Sequence, residues 1–317
     1  MQRIALSLIG LLAVAPALAE TTETFAPVEP AAPLITQLPS VIVEAPEPRY
    51  VAPTLRDRIG RIWAPVLING KGPFRLVLDT GANSSAILPS VAQSLGIPIH
   101  EGKQVLLHGV TGSAVVPIIN VDSLEIGDLY VDGARLPIVA DVFGGAEGIL
   151  GVKGLDDKRI FIDFGNDEIT IARSRGQAAP LGFASMPIKL ISGQLLMFEI
   201  RIGNIRTKAI LDTGAQQTLG NNSLRAALLR RAREGTEQSI VGVTLDVARG
   251  QSIAVPPIAL GDIEVRNMRV IFGDMFIFDQ WNLTRDPAML IGMDVIGTLD
   301  TLVIDYKMRQ LHMRPRR

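Results

Sequence analysis

An all-β fold of two similar lobes is what this sequence predicts, and three observations predict it. Short β-branched runs follow one another closely from about residue 58, with Gly, Asn and Asp between them; strands at such spacing mark an all-β domain. Helical periodicity is confined to two short stretches, 89–96 and 222–234. The second half of the chain repeats the first element by element, as two copies of one structural unit would.

The chain opens with MQRIALSLIGLLAVAPALAE. Arg3 supplies a charged start, Ile4–Val14 an apolar run, and Ala17-Leu18-Ala19 a small-residue cleavage site. This is the layout of a secretory signal, residues 1–19, removed after Ala19. The apolar run is short of the about 20 residues that a membrane-spanning helix needs. Export across the inner membrane to the periplasm is the expected outcome. Residues 20–57 are rich in Pro, Thr and Glu, and they predict a disordered linker or propeptide. Within them VIVEA can pair with a sheet edge.

The first copy, 58–175, carries WAPVLING, FRLVLD, QVLLHGV, LEIGDLYV, RLPIVAD, RIFIDF and DEITIA in turn, with PSVAQSLG as a short helix. Residues 176–185 connect it to the second copy, 186–317. A shift of 133 residues places Asp79 on Asp212, Gly70 on Gly203, Gly109-Val110-Thr111 on Gly242-Val243-Thr244, and Asp141 on Asp274. With a one-residue slip, LEIGDLYV lies over IALGDIEV. Past an eight-residue insertion in the second copy, EGILG meets AMLIG and FIDFGNDEITI meets VIDYKMRQLHM. The order is kept throughout, so the chain is a duplication.

Each copy places an acid at the end of an apolar run and follows it with Thr-Gly-Ala: LVLDTGA at 76–82 and AILDTGA at 209–215. Each later carries two apolar residues and a glycine, Ile149-Leu150-Gly151 and Leu290-Ile291-Gly292. A single Asp-Thr-Gly is weak evidence; two at equivalent places in a repeat are strong evidence. The buried strand before each acid would hold its side chain still. Gly81 and Gly214 would let the chain turn sharply where a Cβ obstructs. Two such carboxylates brought together cannot both ionise; they share one proton and titrate as a pair. The ionised member can act as general base on a water while the protonated member polarises a carbonyl. That chemistry needs no metal or cofactor, and it predicts an acid-to-neutral pH optimum.

On these motifs the chain resembles the aspartic proteases, specifically the retropepsin-like branch. That family carries apolar-apolar-Asp-Thr/Ser-Gly and a later apolar-apolar-Gly packed beneath it. Its retroviral members have alanine after the glycine, as at Ala82 and Ala215. The resemblance covers nearly all of 60–313 and is specific at the motifs. It implies two fused retropepsin/pepsin-like β-barrel lobes about a pseudo-twofold axis, with short helices after each DTG loop. It implies an aspartic endopeptidase acting on extended polypeptide, with Asp79 and Asp212 catalytic. Thr80 and Thr213 would reach across the lobe interface, supporting the loops together with Gly81 and Gly214. It also implies a monomer with an internal pseudo-dimer rather than a homodimer. QVLLHGVTGSAVV (104–116) resembles a flap, with Gly109, Val110, Thr111 and Gly112 at its tip as substrate cover. The second hairpin, 239–255, departs from the pattern, and is expected to be structural.

Other readings compete. Asp79 and Asp212 can be buried turn acids bonding local N–H groups, and the cleft can belong to a non-catalytic peptide-binding or scaffold protein. Ser84 and Ser85 read as turn chemistry, since Gln217 and Thr218 replace them in the second copy. Asp141, Asp274, Asp163 and Asp305 read as structural, and Trp281 as a loop residue packed on its own lobe. Composition excludes several classes. Net charge is −1 without a basic patch, which argues against nucleic acid as a partner. There is no cysteine, hence no thiolate chemistry. The three histidines are scattered, which disfavours a zinc site, and no Gly-x-Ser-x-Gly elbow accompanies them.

Overall fold

The computed structural model describes residues 61–316 except 101, 127–128, 167 and 229–234, together with the backbone of short strands at Leu6–Ser7, Ala13–Ala15 and Val41–Glu44. The expected signal (1–19) and Pro-rich segment (20–57) otherwise lie outside the described residues. Val41–Glu44, within VIVEA, runs parallel to Ile263–Arg266 at the edge of the second lobe's sheet.

The first lobe is built from β1 (Trp63–Ile68), β2 (Lys71–Leu78), β3 (Ala86–Ile87), α1 (Pro89–Leu95), β4 (Gln104–His108), β5 (Ser113–Ile126), β6 (Leu129–Pro137), β7 (Gly148–Leu150), β8 (Lys158–Asp163) and β9 (Glu168–Arg173). The second contains β10 (Ala184–Pro187), β11 (Lys189–Ile191), β12 (Leu195–Ile202), β13 (Ile205–Leu211), β14 (Leu219–Gly220), α2 (Asn222–Leu228), β15 (Thr236–Val241) and β16 (Val247–Ala254). It continues through β17 (Ile258–Leu260), β18 (Ile263–Arg266), β19 (Arg269–Phe272), α3 (Phe276–Gln280), β20 (Ala288–Ile291), α4 (Met293–Ile296), β21 (Leu299–Asp305) and β22 (Gln310–Pro315). The shift of 133 residues that superposes the two Asp-Thr-Gly motifs also carries α1 onto α2.

Local chemistry fixes these elements. Asn69 and Gly70 both have positive φ, 52° and 69°, which suits the tight turn joining β1 to β2. Pro89 opens α1, and Gly96 closes it in the left-handed region at φ 76°. Asn221 caps α2, accepting the Leu224 N–H at 2.8 Å. Burial along β2 changes from alternating to continuous as it nears Asp79, so the strand enters the core as it reaches the acid.

Each apolar-apolar-Gly segment lies directly beside the strand that carries the acid. β7 runs parallel to β2, with Leu150 opposite Leu78, and β20 runs parallel to β13, with Ile291 opposite Leu211. Beneath both lobes lies a five-stranded sheet in the order β9-β8-β21-β22-β10. Its central pairing is antiparallel and joins β8 of the first lobe to β21 of the second. Asp305 on β21 is buried there. It accepts hydrogen bonds from the Ser174 hydroxyl (2.8 Å) and the Met308 amide (2.9 Å), and meets the Arg159 guanidinium at 3.4 Å. Asp163 caps its own turn through the amides of Gly165 and Asn166. Among the described residues no helix is long and apolar enough to cross a membrane.

Candidate active site

The two acids, 133 positions apart in sequence, meet at the lobe interface. Both are fully buried. Asp79 Oδ1 accepts the Gly81 N–H at 2.9 Å. Asp212 Oδ1 accepts two amides, Gly214 at 2.9 Å and Ala215 at 3.0 Å. Neither Oδ2 has a hydrogen-bond partner among the described residues, and the two carboxyls are close enough to act on each other's charge.

The motif glycines serve a different purpose from the sharp turn expected of them. Neither Gly81 nor Gly214 takes a positive φ. A β-carbon on Gly81 would stand 2.6 Å from the Asp212 carboxyl carbon, and one on Gly214 would stand 2.5 Å from Asp79 Oδ2. Glycine is required because the opposing carboxyl occupies the space.

The threonines lock the loops reciprocally. The Thr80 hydroxyl donates to the Leu211 carbonyl (2.8 Å) and accepts the Thr213 N–H (3.1 Å). The Thr213 hydroxyl donates to the Leu78 carbonyl (2.6 Å) and accepts the Thr80 N–H (3.1 Å). Each contact has its mirror image, the pattern of a twofold interface. The four bonds satisfy two buried N–H groups and two buried carbonyls as well as both hydroxyls.

Burial is the largest force on both carboxyls and drives both upward. Asp79 is raised well above the usual range, first by desolvation and then by the neighbouring Asp212 charge and hydrogen bond. Asp212 is pushed up to about 7 by burial, and pulled back by the amides of Ala215 and Gly214 and by Asp79. Backbone amides oppose the shift on both sides, Gly81 and Ala82 for Asp79, Gly214 and Ala215 for Asp212, so the two acids titrate as one pair.

Two hairpins bury their tips in the opposite lobes. At the tip of the β4–β5 hairpin, Val110 is buried in an apolar cluster with Ala215, Leu195, Ile277 and Trp281 of the second lobe. At the tip of the β15–β16 hairpin, Val243 is buried in a cluster with Ala82, Val77 and Phe143 of the first. The tips also touch each other. The Gly242 N–H donates to the Thr111 hydroxyl at 3.2 Å. Gly109 and Gly112 have no positive φ. A β-carbon on Gly109 would stand 3.2 Å from Val243 and Thr244, and one on Gly112 would strike the Asp246 carboxylate.

The first flap has an additional anchor that the sequence reading missed. The short helix α3 starts just before the insertion read as a loop (278–287) and runs into it. Its Ile277 N–H donates to the Val110 carbonyl at 3.2 Å, and Phe276 stacks on His108 with centroids 5.7 Å apart. Trp281, at the end of α3, packs into its own lobe. Ser85 and Thr218 serve as loop braces: their hydroxyls accept the Gly151 and Gly292 amides, each at 3.1 Å.

The comparisons with known proteins agree with this geometry. No curated protein matches the chain. The family model described as aspartyl protease matches two separate stretches, residues 64–154 and 198–295, one in each lobe and together more than half of the chain. The chain therefore belongs to the retropepsin-like aspartyl protease family, with two lobes fused in one polypeptide.

Proposed function

We propose that this protease-family chain is an active aspartic endopeptidase whose catalytic pair is Asp79 and Asp212. The observation that carries the reading is the burial of two neighbouring carboxyls, each packed against the other loop's glycine and each with an Oδ2 left without a partner among the described residues. One acid of the pair is ionised and takes a proton from a water held between them. The resulting hydroxide oxygen bonds to the scissile carbonyl carbon as the other acid delivers its proton to the carbonyl oxygen. Collapse of this diol breaks the C–N bond, and the departing nitrogen takes up a proton from the dyad. No covalent enzyme intermediate forms. The substrate is extended polypeptide, since the flap hairpins offer strand edges that can hydrogen-bond a backbone. The closed flaps must part to admit it.

The same reading places the mature protein in the periplasm, on the strength of the charged start, apolar run and Ala17-Leu18-Ala19. A mature N-terminus at Glu20, found by mass spectrometry of the exported protein, is the expected result.

The decisive test is cleavage of a denatured protein or peptide library by wild type, Asp79→Asn and Asp212→Asn. Wild type should cut and each variant should lose at least about a hundredfold, the lower range for removing an acid–base group. Cleavage that survives both substitutions would remove the dyad from the mechanism. Binding without cleavage by the wild type would establish a peptide-binding protein instead.

A further inference from the structure

The two catalytic loops are held in different ways. Three bonds recur in both lobes. In the first, Asp79 N–H donates to the Leu150 carbonyl, Val152 N–H to the Ala82 carbonyl, and Gly151 N–H to the Ser85 hydroxyl. In the second, Asp212 N–H donates to the Ile291 carbonyl, Met293 N–H to the Ala215 carbonyl, and Gly292 N–H to the Thr218 hydroxyl. Beyond these, the loops diverge.

In the second lobe Asp294 adds further ties. Its carboxylate accepts the Thr218 N–H at 3.0 Å and the Thr218 hydroxyl at 2.6 Å, and its own N–H donates to the Gln216 carbonyl at 3.2 Å. Oδ1 also accepts the Val295 N–H at 2.9 Å, so the carboxylate is fixed to the first turn of α4. The Thr218 hydroxyl thus accepts from Gly292 and donates to Asp294, which leaves it one orientation. In the first lobe the equivalent position is Lys153, which is exposed. There the loop is tied from outside: the Asn83 amide donates to the Ser192 carbonyl, and its oxygen accepts the Gln194 N–H, both on the β11–β12 hairpin of the other lobe.

We propose that Asp294 is a positioning residue for Asp212, fixing the 212–218 loop through Thr218 so that the carboxyl stays in register with Asp79. The inference rests on the dyad reading above. Asp294 touches neither reacting carboxyl; it acts on the loop that carries one of them. A displacement of even an ångström at a catalytic group costs on the order of a hundredfold in rate, so loss of this brace should appear in turnover rather than in substrate binding.

The experiment compares Asp294→Ala, Asp294→Asn, Thr218→Val and Ser85→Ala in the full chain, on a fluorogenic peptide that wild type cleaves. Asp294→Ala should lower kcat at least tenfold with KM within about threefold. Thr218→Val should do the same, and the double variant should be no worse than the poorer single one, because both remove one connection. Asp294→Asn keeps an amide oxygen for Thr218 and should recover most of the lost kcat. Ser85→Ala, which leaves Asn83 in place, should cost less than Thr218→Val. An Asp294→Ala protein that melts lower but keeps kcat would overturn the proposal, as would additive losses in the double variant. If Asp294→Ala does not fold, the ordering of Thr218→Val, Asp294→Asn and Ser85→Ala still decides. Carbon-13 titration of the Asp212 carboxyl separates this inference from the dyad reading. A midpoint moved by Thr218→Val supports the brace even in a chain that cuts nothing, and an unmoved midpoint rejects it.

Discussion

Val110 and Val243 exchange lobes: each leaves its own hairpin to be buried among residues of the other half. The closed cleft is therefore a reciprocal lock between the halves. Its two sides are unequal, because the first flap adds the Ile277–Val110 hydrogen bond and the His108–Phe276 stack.

Truncating either valine should loosen the lock. Burial of a valine side chain contributes roughly 1.5–3 kcal/mol, so Val110→Ala or Val243→Ala should speed amide hydrogen exchange at both tips by about tenfold or more. Phe276→Ala removes the stack on His108, a contact of the first flap. It should speed exchange across 104–113 and leave 236–247 less affected. Equal exchange in both hairpins of the wild type would refute the asymmetry.

Gly81→Ala and Gly214→Ala should each abolish cleavage while leaving most of the fold. The added methyl meets the opposing carboxyl, and the two acids are driven apart. A loss of at least about a hundredfold in kcat is expected, in line with removal of an acid–base group. A variant that retained wild-type turnover would contradict the packing of carboxyl against glycine.

Stability should fall as pH rises. Asp212 has its folded pKa raised from 3.8 to about 7, so its stabilising contribution is complete below 3.8 and lost as pH climbs through 7. Asp79 is raised as well, and acts in the same direction. Replacing Asp79 by Asn removes one member of the pair. It should raise the melting temperature at pH 7–8 and change it little near pH 4, a difference on the order of a few kcal/mol. Thermal unfolding across that range checks the sign, and a variant less stable than wild type at pH 8 would contradict it.

Thr80→Val or Thr213→Val should weaken the joint between lobes. Each deletes a hydroxyl that serves one carbonyl and one amide across the interface, and leaving such buried groups unpaired costs about 1–3 kcal/mol each. Thr80→Ser and Thr213→Ser keep the oxygen and should stay near wild type. Urea unfolding gives the comparison, and equal midpoints for Val and Ser would contradict the bonding.

Much of this architecture was legible in the residues. The duplication made two lobes readable, and the apolar-apolar-Gly segments predicted packing behind the acids, because their order after Asp-Thr-Gly is kept in both copies despite the eight-residue insertion. The burial of the second tip was not legible. Leu245 stands where the first tip has Gly112, yet Val243 matches Val110, and burial across the lobes depends on the side chain at that position. The role of the tip glycines was also hidden. Periodicity reports a residue's own conformation, whereas Gly109, Gly112, Gly81 and Gly214 answer to atoms of the opposite lobe. Asp294 escaped notice because its counterpart is Lys153, and a comparison of repeats favours what the copies share. Helix α3 runs from Phe276, the counterpart of Phe143, into an insertion that the first copy lacks.

The five-stranded sheet beneath the cleft makes the two halves permanent companions without making them twins. In an assembly of identical chains, every substitution is imposed on both walls of the cavity at once. Here a change at Asn83 leaves Gln216 untouched, and a change at Asp294 leaves Lys153 untouched. Selection can therefore alter the loop that carries one acid and hold the other fixed.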